Sequence, residues 1–334
     1  MTEEKILIEN GYTVESFREV VSAFQKSRII LTAYELGIFS VVDEMGASAK
    51  TVAKRIKANI GATERLMNAL CALGLLKKEG GIFFNTDFSK KYLVKGSSDY
   101  IAGLMHISAL WDRWSKLTAV IKKGHPVVEK NKREKKWIKA FIAAMHDRAK
   151  LHAPALIKLL DISKVRKMLD LGGGSGAYAM AFVRAKPEIS ATIFDLPDVI
   201  SLTKKYIKNE GFIKKISLIG GDYLKDNIGK GYDLILLSQI IHSNSPSENK
   251  LLIKKCSKAL NSGGQIVIQD FIIDEDRTKP LQAALFSINM LVGTRNGNTY
   301  TENEVADWLL QSDFTYINRK DTSWKTTIII GFKK

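Results

Sequence analysis

Residues 168–197, MLDLGGGSGAYAMAFVRAKPEISATIFDLP, restrict the chain to a narrow set of folds. An apolar strand runs into a glycine-rich turn, a helix follows, and a second apolar strand ends in an acid. A unit of this kind makes half of a ligand crevice in an open α/β sheet. Gly172, Gly174 and Gly176 let the backbone turn sharply and leave room for a ligand against bare peptide groups. The helix opening near Ala177 directs its N-terminal amides at that ligand. Asp195, with Leu196 beside it, stands at the tip of the second strand as the carboxylate suited to ribose hydroxyls.

Two ligand classes fit the turn. Gly172 to Ala177 satisfies the dinucleotide pattern G-x-G-x-x-G/A, with Asp195 near the ribose position. Asp170, two positions before the first glycine, discriminates between them. A dinucleotide sets an anionic pyrophosphate near this turn, and like charges ~4 Å apart cost roughly 1–4 kcal/mol. S-adenosylmethionine brings an ammonium, a sulfonium and no phosphate. Asp170 therefore favours the methyl donor over NAD.

The downstream sequence extends the same pattern. KISLIGGDYL (215–224) reads as a third strand ending in Gly221-Asp222-Tyr223, an acid and an aromatic suited to an adenine amino group and ring. YDLILLSQIIH (232–242) is a continuous apolar run, as expected of a central strand buried on both faces. It brings Ser238, Gln239 and His242 to the carboxyl edge, where open α/β sheets bind ligands. SPSENKLLIKKCSKAL (245–260) reads as a helix ended by Asn261-Ser262-Gly263-Gly264, and QIVIQDFIID (265–274) as a fifth strand. Helices at 280–292 and 302–311 and a β-rich tail at 326–334 follow. Alternating strands and helices predict a doubly wound parallel sheet.

LDLGGGSGAYA, FDLP at 194–197, GDYL at 221–224, the histidine at the end of strand four and ALNSGGQIVIQDF together resemble the S-adenosylmethionine-dependent O-methyltransferases of the caffeate and hydroxyindole type. The resemblance covers nearly the whole chain. It implies an α/β fold: a Rossmann-like class I methyltransferase sheet with helices on both faces, preceded by a mostly α winged-helix dimerisation domain. It implies boundaries at 1–98 for dimerisation, 99–160 for a helical bridge lining the acceptor pocket, and 161–334 for catalysis. By position, Gly172, Asp195, Asp222, Tyr223 and Ser238 or Gln239 match the donor contacts, S-adenosylhomocysteine being the product. His242 matches the general base.

The chemistry gives a histidine a purpose there. A phenol with pKa near ~10 is a poor nucleophile at neutral pH, and a neutral imidazole can take its proton as attack begins. The sequence also departs from the family pattern. His242 is followed by Ser243-Asn244-Ser245-Pro246 instead of Asp-Trp. The steadying carboxylate on strand five is Asp270, one methylene shorter than usual. The downstream segment Arg295-Asn296-Gly297-Asn298-Thr299-Tyr300-Thr301 carries no acid before Glu302. These departures leave open a more acidic acceptor, C-methylation, or a non-methylating or dehydrogenase-type relative on the same fold.

In the N-terminal part, residues 24–46 give one helical pattern, and 48–58 and 62–76 give two more. Residues 77–93 read as a β-hairpin around Gly80-Gly81. Helix-helix-helix-wing is a winged-helix module, and a DNA-binding regulator is the alternative it raises. Segment 62–76 carries only Arg65 as a cation among Leu66, Met67, Leu70 and Leu73, an apolar face suited to a homodimer interface. No nucleic-acid partner is expected. The bridge holds Trp111, Trp114, Trp137, Met145 and His146, and helix 280–292 holds Phe286, Asn289 and Met290. The resemblance makes these the two walls of a pocket for an apolar, planar, aromatic or polyene-like small-molecule acceptor.

A net charge of +16 invites a nucleic-acid reading, but the lysines are spread over helix faces, with one dense run at 130–136. An anionic substrate or passing contact with an acidic membrane surface are the sharper readings. No apolar run approaches 18 residues, so no stable membrane insertion is expected. The acidic, polar start MTEEKILIENGY suggests no signal peptide, and Cys71 and Cys256 read as reduced, buried thiols of a cytoplasmic protein. The five histidines show no ligand spacing, so no metal is expected.

Overall fold

The computed structural model describes residues 11–42, 45–127 and 135–334, the side chains of Lys135, Lys136 and Tyr316 excepted. Most of the basic run at 130–136 and the first ten residues lie outside this set. The chain divides into two compact units, one reaching Ser108 and one from Ala109 to Lys334.

In the first unit α1 spans Val14–Ser22, α2 Phe24–Glu35 and α3 Ile38–Val41. Strand β1 is Ala47–Ser48, α4 is Ala49–Ile56 and α5 is Ile60–Ala72. Strands β2 (Leu76–Glu79) and β3 (Ile82–Asn85) form the wing, and α6 covers Asp87–Tyr92. Two expectations are corrected here. The single helical pattern at 24–46 breaks at Gly37, whose φ of +71° is left-handed and ends α2. The hairpin expected at 77–93 ends at Asn85, because the Thr86 hydroxyl accepts the Ser89 amide and starts a helix. Ile38, Phe39, Val52, Met67, Leu70 and Phe83 form the core of this unit. The Asn85 amide, donating to the carbonyls of Phe39 and Val42, ties the wing to α3.

Helix α7 spans Leu104–Trp114, α8 Leu117–Lys123 and α9 Lys135–Lys158. The second unit then alternates: β4 (Lys167–Leu171), α10 (Ala177–Ala185), β5 (Ser190–Asp195), α11 (Pro197–Asn209), β6 (Ile216–Gly220) and β7 (Tyr232–Ser238). It continues with α12 (Pro246–Ala259), β8 (Leu260–Asp270), β9 (Ile272–Ile273), α13 (Leu281–Gly293), β10 (Tyr300–Thr301) and α14 (Glu302–Leu310). Strands β11 (Phe314–Asp321) and β12 (Thr327–Lys333) finish it.

Seven strands lie in the order β11-β12-β8-β7-β4-β5-β6. Five neighbouring strands, β8 to β6, are parallel, and β12 alone runs against both its neighbours. Strand order reverses on either side of β4, and the carboxyl ends of β4 and β7 form the crevice at that switch point. Parallel pairing buries both faces, which is why Leu234, Ile235, Leu236 and Leu237 are all fully buried.

Three local boundaries differ from the sequence reading. The third strand stops at Gly220. Asn261-Ser262-Gly263-Gly264 does not end a helix; α12 closes at Ala259 and those residues already belong to β8. Strand four ends at Ser238, and His242 lies in a short 3-10 turn, Ile241–Ser243. Gln239 makes the corner: its φ of +57° is left-handed, and its amide donates to the Gln269 carbonyl at 2.7 Å. The expected start of α12 is present, with Ser245 and Glu248 capping each other reciprocally.

Candidate active site

The glycine turn closes over the end of β4 with Gly172, Gly174 and Gly176 all at positive φ. At Gly172 and Gly176 the space is taken as well: an added Cβ would collide with Ile240 and with Ile193 respectively. Asp195 holds the rim. Its Oδ2 accepts the Gly174 amide at 2.8 Å and its Oδ1 accepts the Leu196 amide at 2.7 Å. A carboxylate offers about four lone-pair sites, so the group that shapes the loop can also accept from a ribose. Leu196, 39% exposed, adds an apolar surface at the same rim. Thr203 of α11 donates to the Gly174 carbonyl at 2.5 Å and pins the loop from the other side.

Asp170 lies elsewhere than the sequence reading placed it. It is 1% exposed, beneath the loop, and its Oδ2 accepts the Ala179 amide at 3.2 Å. In a strand buried on both faces, a side chain at this position enters the protein interior. Burial pushes its carboxyl up to about 7, and the nearby Asp195 charge adds to the rise. It supports the loop from below, out of reach of the open face.

Asp222 and Tyr223 follow β6. The Asp222 carboxylate accepts the Leu224 amide and pairs with Lys225 at 3.0 Å. Its pKa is lowered: burial opposes the change, and the hydrogen bonds and lysines outweigh it. Tyr223 donates to Asn244 Oδ1 at 3.1 Å, and burial raises its phenol to about 12. At the end of β7, Ser238 donates to Gln269 Oε1 at 3.0 Å, and Gln269 donates to the Thr326 hydroxyl. The Tyr178 hydroxyl joins Ser238 and Gln269. Sequence reasoning passed over Gln269, although an amide in the apolar run QIVIQDF was a visible signal.

His242 and Asp270 meet as a dyad. The imidazole Nδ1 lies 2.7 Å from Asp270 Oδ1, and the His242 amide donates to Oδ2 at 3.3 Å. The Phe271 amide donates to Oδ1 as well, at 2.8 Å. Three N–H groups thus converge on one carboxylate. An Nδ1–H donating to the acid leaves the Nε2 lone pair as the basic site. The ring meets Phe286 edge-on at 4.8 Å, and Phe286 stacks on Phe271 at 4.0 Å. The sequence carries no acid at 295–301, and there the Asn298 amide donates to the His242 carbonyl at 2.9 Å. A side chain at Gly297 would strike that carbonyl.

The proposed acceptor walls separate into two groups. Trp114 Nε1 donates to Asn289 Oδ1 at 3.1 Å, which joins α7 to α13 beside Phe286. Trp111 and Met145 are half-buried. Met290 is 7% exposed and packs inward. His146 lies against the glycine turn instead: its Nδ1 is 2.9 Å from the Ser175 hydroxyl, and its ring lies on Tyr206 at 4.4 Å. Burial lowers its pKa, and Lys150 adds to the effect. Among the described residues no His/Cys/Asp/Glu group is arranged to hold a metal ion.

A family model for the O-methyltransferase domain matches residues 117–315, and one for the O-methyltransferase dimerisation domain matches residues 19–95. The chain belongs to the O-methyltransferase family. It is accordingly an S-adenosylmethionine-dependent methyltransferase of enzyme class 2.1.1. A 3-hydroxy-5-methyl-1-naphthoate 3-O-methyltransferase from Streptomyces sahachiroi is 33% identical over 87% of this chain and 86% of its own length. Acetylserotonin O-methyltransferase of Gallus gallus is 28% identical over 93% of this chain and 95% of that one. Human N-acetylserotonin methyltransferase, solved with S-adenosylmethionine, superposes with a TM-score of 0.83 at 25% identity, covering 95% of this chain and 96% of that one. PigF with S-adenosylhomocysteine superposes with a TM-score of 0.88 at 23% identity, over 96% of this chain and all of that one, and shows the shared fold.

Proposed function

We propose that this O-methyltransferase methylates a hydroxyl of a flat aromatic small molecule, with His242 as general base and Asp270 as the residue that holds it. The His242–Asp270 dyad beside the glycine crevice is the observation that carries this reading. The bound donor supplies an activated methyl on a sulfonium. Asp195 and the amides of the glycine turn orient it, and the buried Gln269–Ser238 lock keeps the end of β7 in place. Phe286 and Phe271 form an aromatic shelf beside the imidazole. An acceptor ring on that shelf presents its hydroxyl to Nε2, which takes the proton as the oxygen attacks. Holding the two reactants in line is the remaining contribution.

The division of labour is 1–98 for dimerisation, 99–160 for the acceptor wall and 161–334 for catalysis. Exposed Val14, Phe17, Val21 and Phe24, each more than half exposed, support a homodimer built through the N-terminal unit. No helix of the described residues is long and apolar enough to cross a membrane. With both cysteines free, this supports a cytoplasmic enzyme. The test is methyl transfer to a panel of hydroxyaromatics. His242→Ala is expected to lower turnover by about 10²–10⁴ while donor affinity, by calorimetry, is unchanged. Turnover retained in the variant removes the base assignment and leaves the family reaction standing.

A further inference from the structure

Every backbone group flanking the His242 Cα has a partner. On one side, the His242 amide donates to Asp270 Oδ2 at 3.3 Å. The Ile241 carbonyl there accepts Asn249 Nδ2 at 2.9 Å, alongside the Asn244 backbone amide at 3.2 Å. On the other side, the His242 carbonyl accepts the Asn298 amide and the Ser243 amide donates to the Ile240 carbonyl at 3.1 Å. Fixing both peptide planes fixes φ and ψ of His242, so the imidazole is left only its side-chain torsions. Asn249 is fully buried near the start of α12 and reaches back to the turn before it. A carbonyl only accepts, so the NH2 end of Asn249 must face Ile241 and its Oδ1 must face away. That oxygen accepts Asn244 Nδ2 at 3.0 Å, which leaves Asn244 Oδ1 for the Tyr223 hydroxyl at 3.1 Å. The direction of each hydrogen bond in the chain thus follows from the first. The Tyr300 hydroxyl donates to the Asn244 carbonyl and anchors the middle of the chain.

We propose that Asn249 is a positioning residue for methyl transfer: at the end of the Tyr223–Asn244–Asn249 chain it holds the Ile241–His242 peptide, so that Nδ1 stays on Asp270 and Nε2 stays open to the acceptor hydroxyl. The inference rests on the reading of His242 as general base given above. A misplacement of about 1 Å can cost about 10²-fold in rate, so a buried amide that never touches substrate can still govern turnover. The chain also gives a task to Asn244, which stands where the usual Asp-Trp after the histidine is replaced by Ser243-Asn244. An amide both donates and accepts, whereas an indole only donates and cannot take the Tyr223 proton.

The full-length protein is labelled with heavy nitrogen in its histidine rings, saturated with S-adenosylhomocysteine and measured by NMR at about pH 8, where an ordinary imidazole is neutral. His242→Ala identifies the His242 signals by their loss. The wild type is expected to show His242 as a single Nδ1–H tautomer. Asn249→Ala and the double variant Asn244→Leu/Asn249→Leu are each expected to lose it, the two ring nitrogens moving toward averaged shifts, while the His146 and His152 signals and S-adenosylhomocysteine affinity stay as in the wild type. The double variant keeps the test open if Asn249→Ala unfolds, because replacing both partners by apolar groups of similar shape costs little. A variant that binds S-adenosylhomocysteine and retains the wild-type His242 spectrum overturns the proposal. Disturbance of all three histidines together, or failure of both variants to bind S-adenosylhomocysteine, assigns the asparagines to packing and also overturns it. An Nε2–H tautomer in the wild type strikes the base reading itself and the proposal with it, whereas the single Nδ1–H tautomer surviving in the variants strikes only Asn249.

Discussion

Asp170→Asn isolates the energetic consequence of burying an acid under the glycine turn. Burial pushes the folded carboxyl up to about 7, roughly three above the ordinary aspartate value of ~3.9. At 1.36 kcal/mol per unit this amounts to roughly 4 kcal/mol. Because the folded pKa is the higher one, the protonated acid contributes its full stability below the unfolded pKa. That contribution declines above pH 4 and is lost as pH rises through 7. The carboxyl is fully buried, so solvent screening does not reduce the effect. An asparagine keeps an oxygen for the Ala179 amide and does not titrate. Urea unfolding of both proteins at pH 5, 6, 7 and 8, without donor, measures the difference. The variant is expected to gain on the wild type with rising pH, by a few kcal/mol between pH 5 and 8. Parallel stability profiles would show a carboxylate that is ionised and solvated throughout, and would refute the reasoning.

Asp195→Ala removes a charged acceptor that also holds the Gly174 amide. S-adenosylhomocysteine affinity is expected to fall about 10- to 150-fold, equivalent to roughly 1.5–3 kcal/mol, and unchanged calorimetry would sink the crevice assignment. Paired Phe17→Asp and Val21→Asp substitutions place charge in the exposed stripe of α1. Sedimentation is expected to show twice the 37.3 kDa chain mass for the wild type and a shift toward monomer for the double variant. A wild-type monomer at micromolar concentration contradicts the dimer reading.

The parts of the site legible from sequence are those set by local chemistry. Glycines at 172, 174 and 176 and an acid at 195 belong to one βαβ unit, so their spacing alone brings them together. Asp270 ends β8 and His242 follows the end of the neighbouring parallel strand β7 by four residues, so the two come together at one edge of the sheet. The rest depends on side-chain direction or on long-range packing. Asp170 is one residue from the end of β4, and whether it faces the ligand or the interior is fixed only when helices cover both faces. His146 reads as a pocket residue on its helix, yet it meets Ser175, 29 positions away. The short helix α6 follows a wing that local pattern extends too far, and only the cap at Thr86 marks the change.

The peptide contact between Asn298 and the carbonyl of His242 has a wider implication. It uses no side chain, and Gly297 leaves no room for one. The His242 carbonyl is therefore held by main chain and its imidazole by Asp270, while the aromatic ring beside the imidazole comes from Phe286 on a separate helix. Under the proposed mechanism, residues on that helix face can be exchanged without loosening the base. A scaffold divided in this way can acquire new acceptors by small steps, each tried against an unchanged reaction.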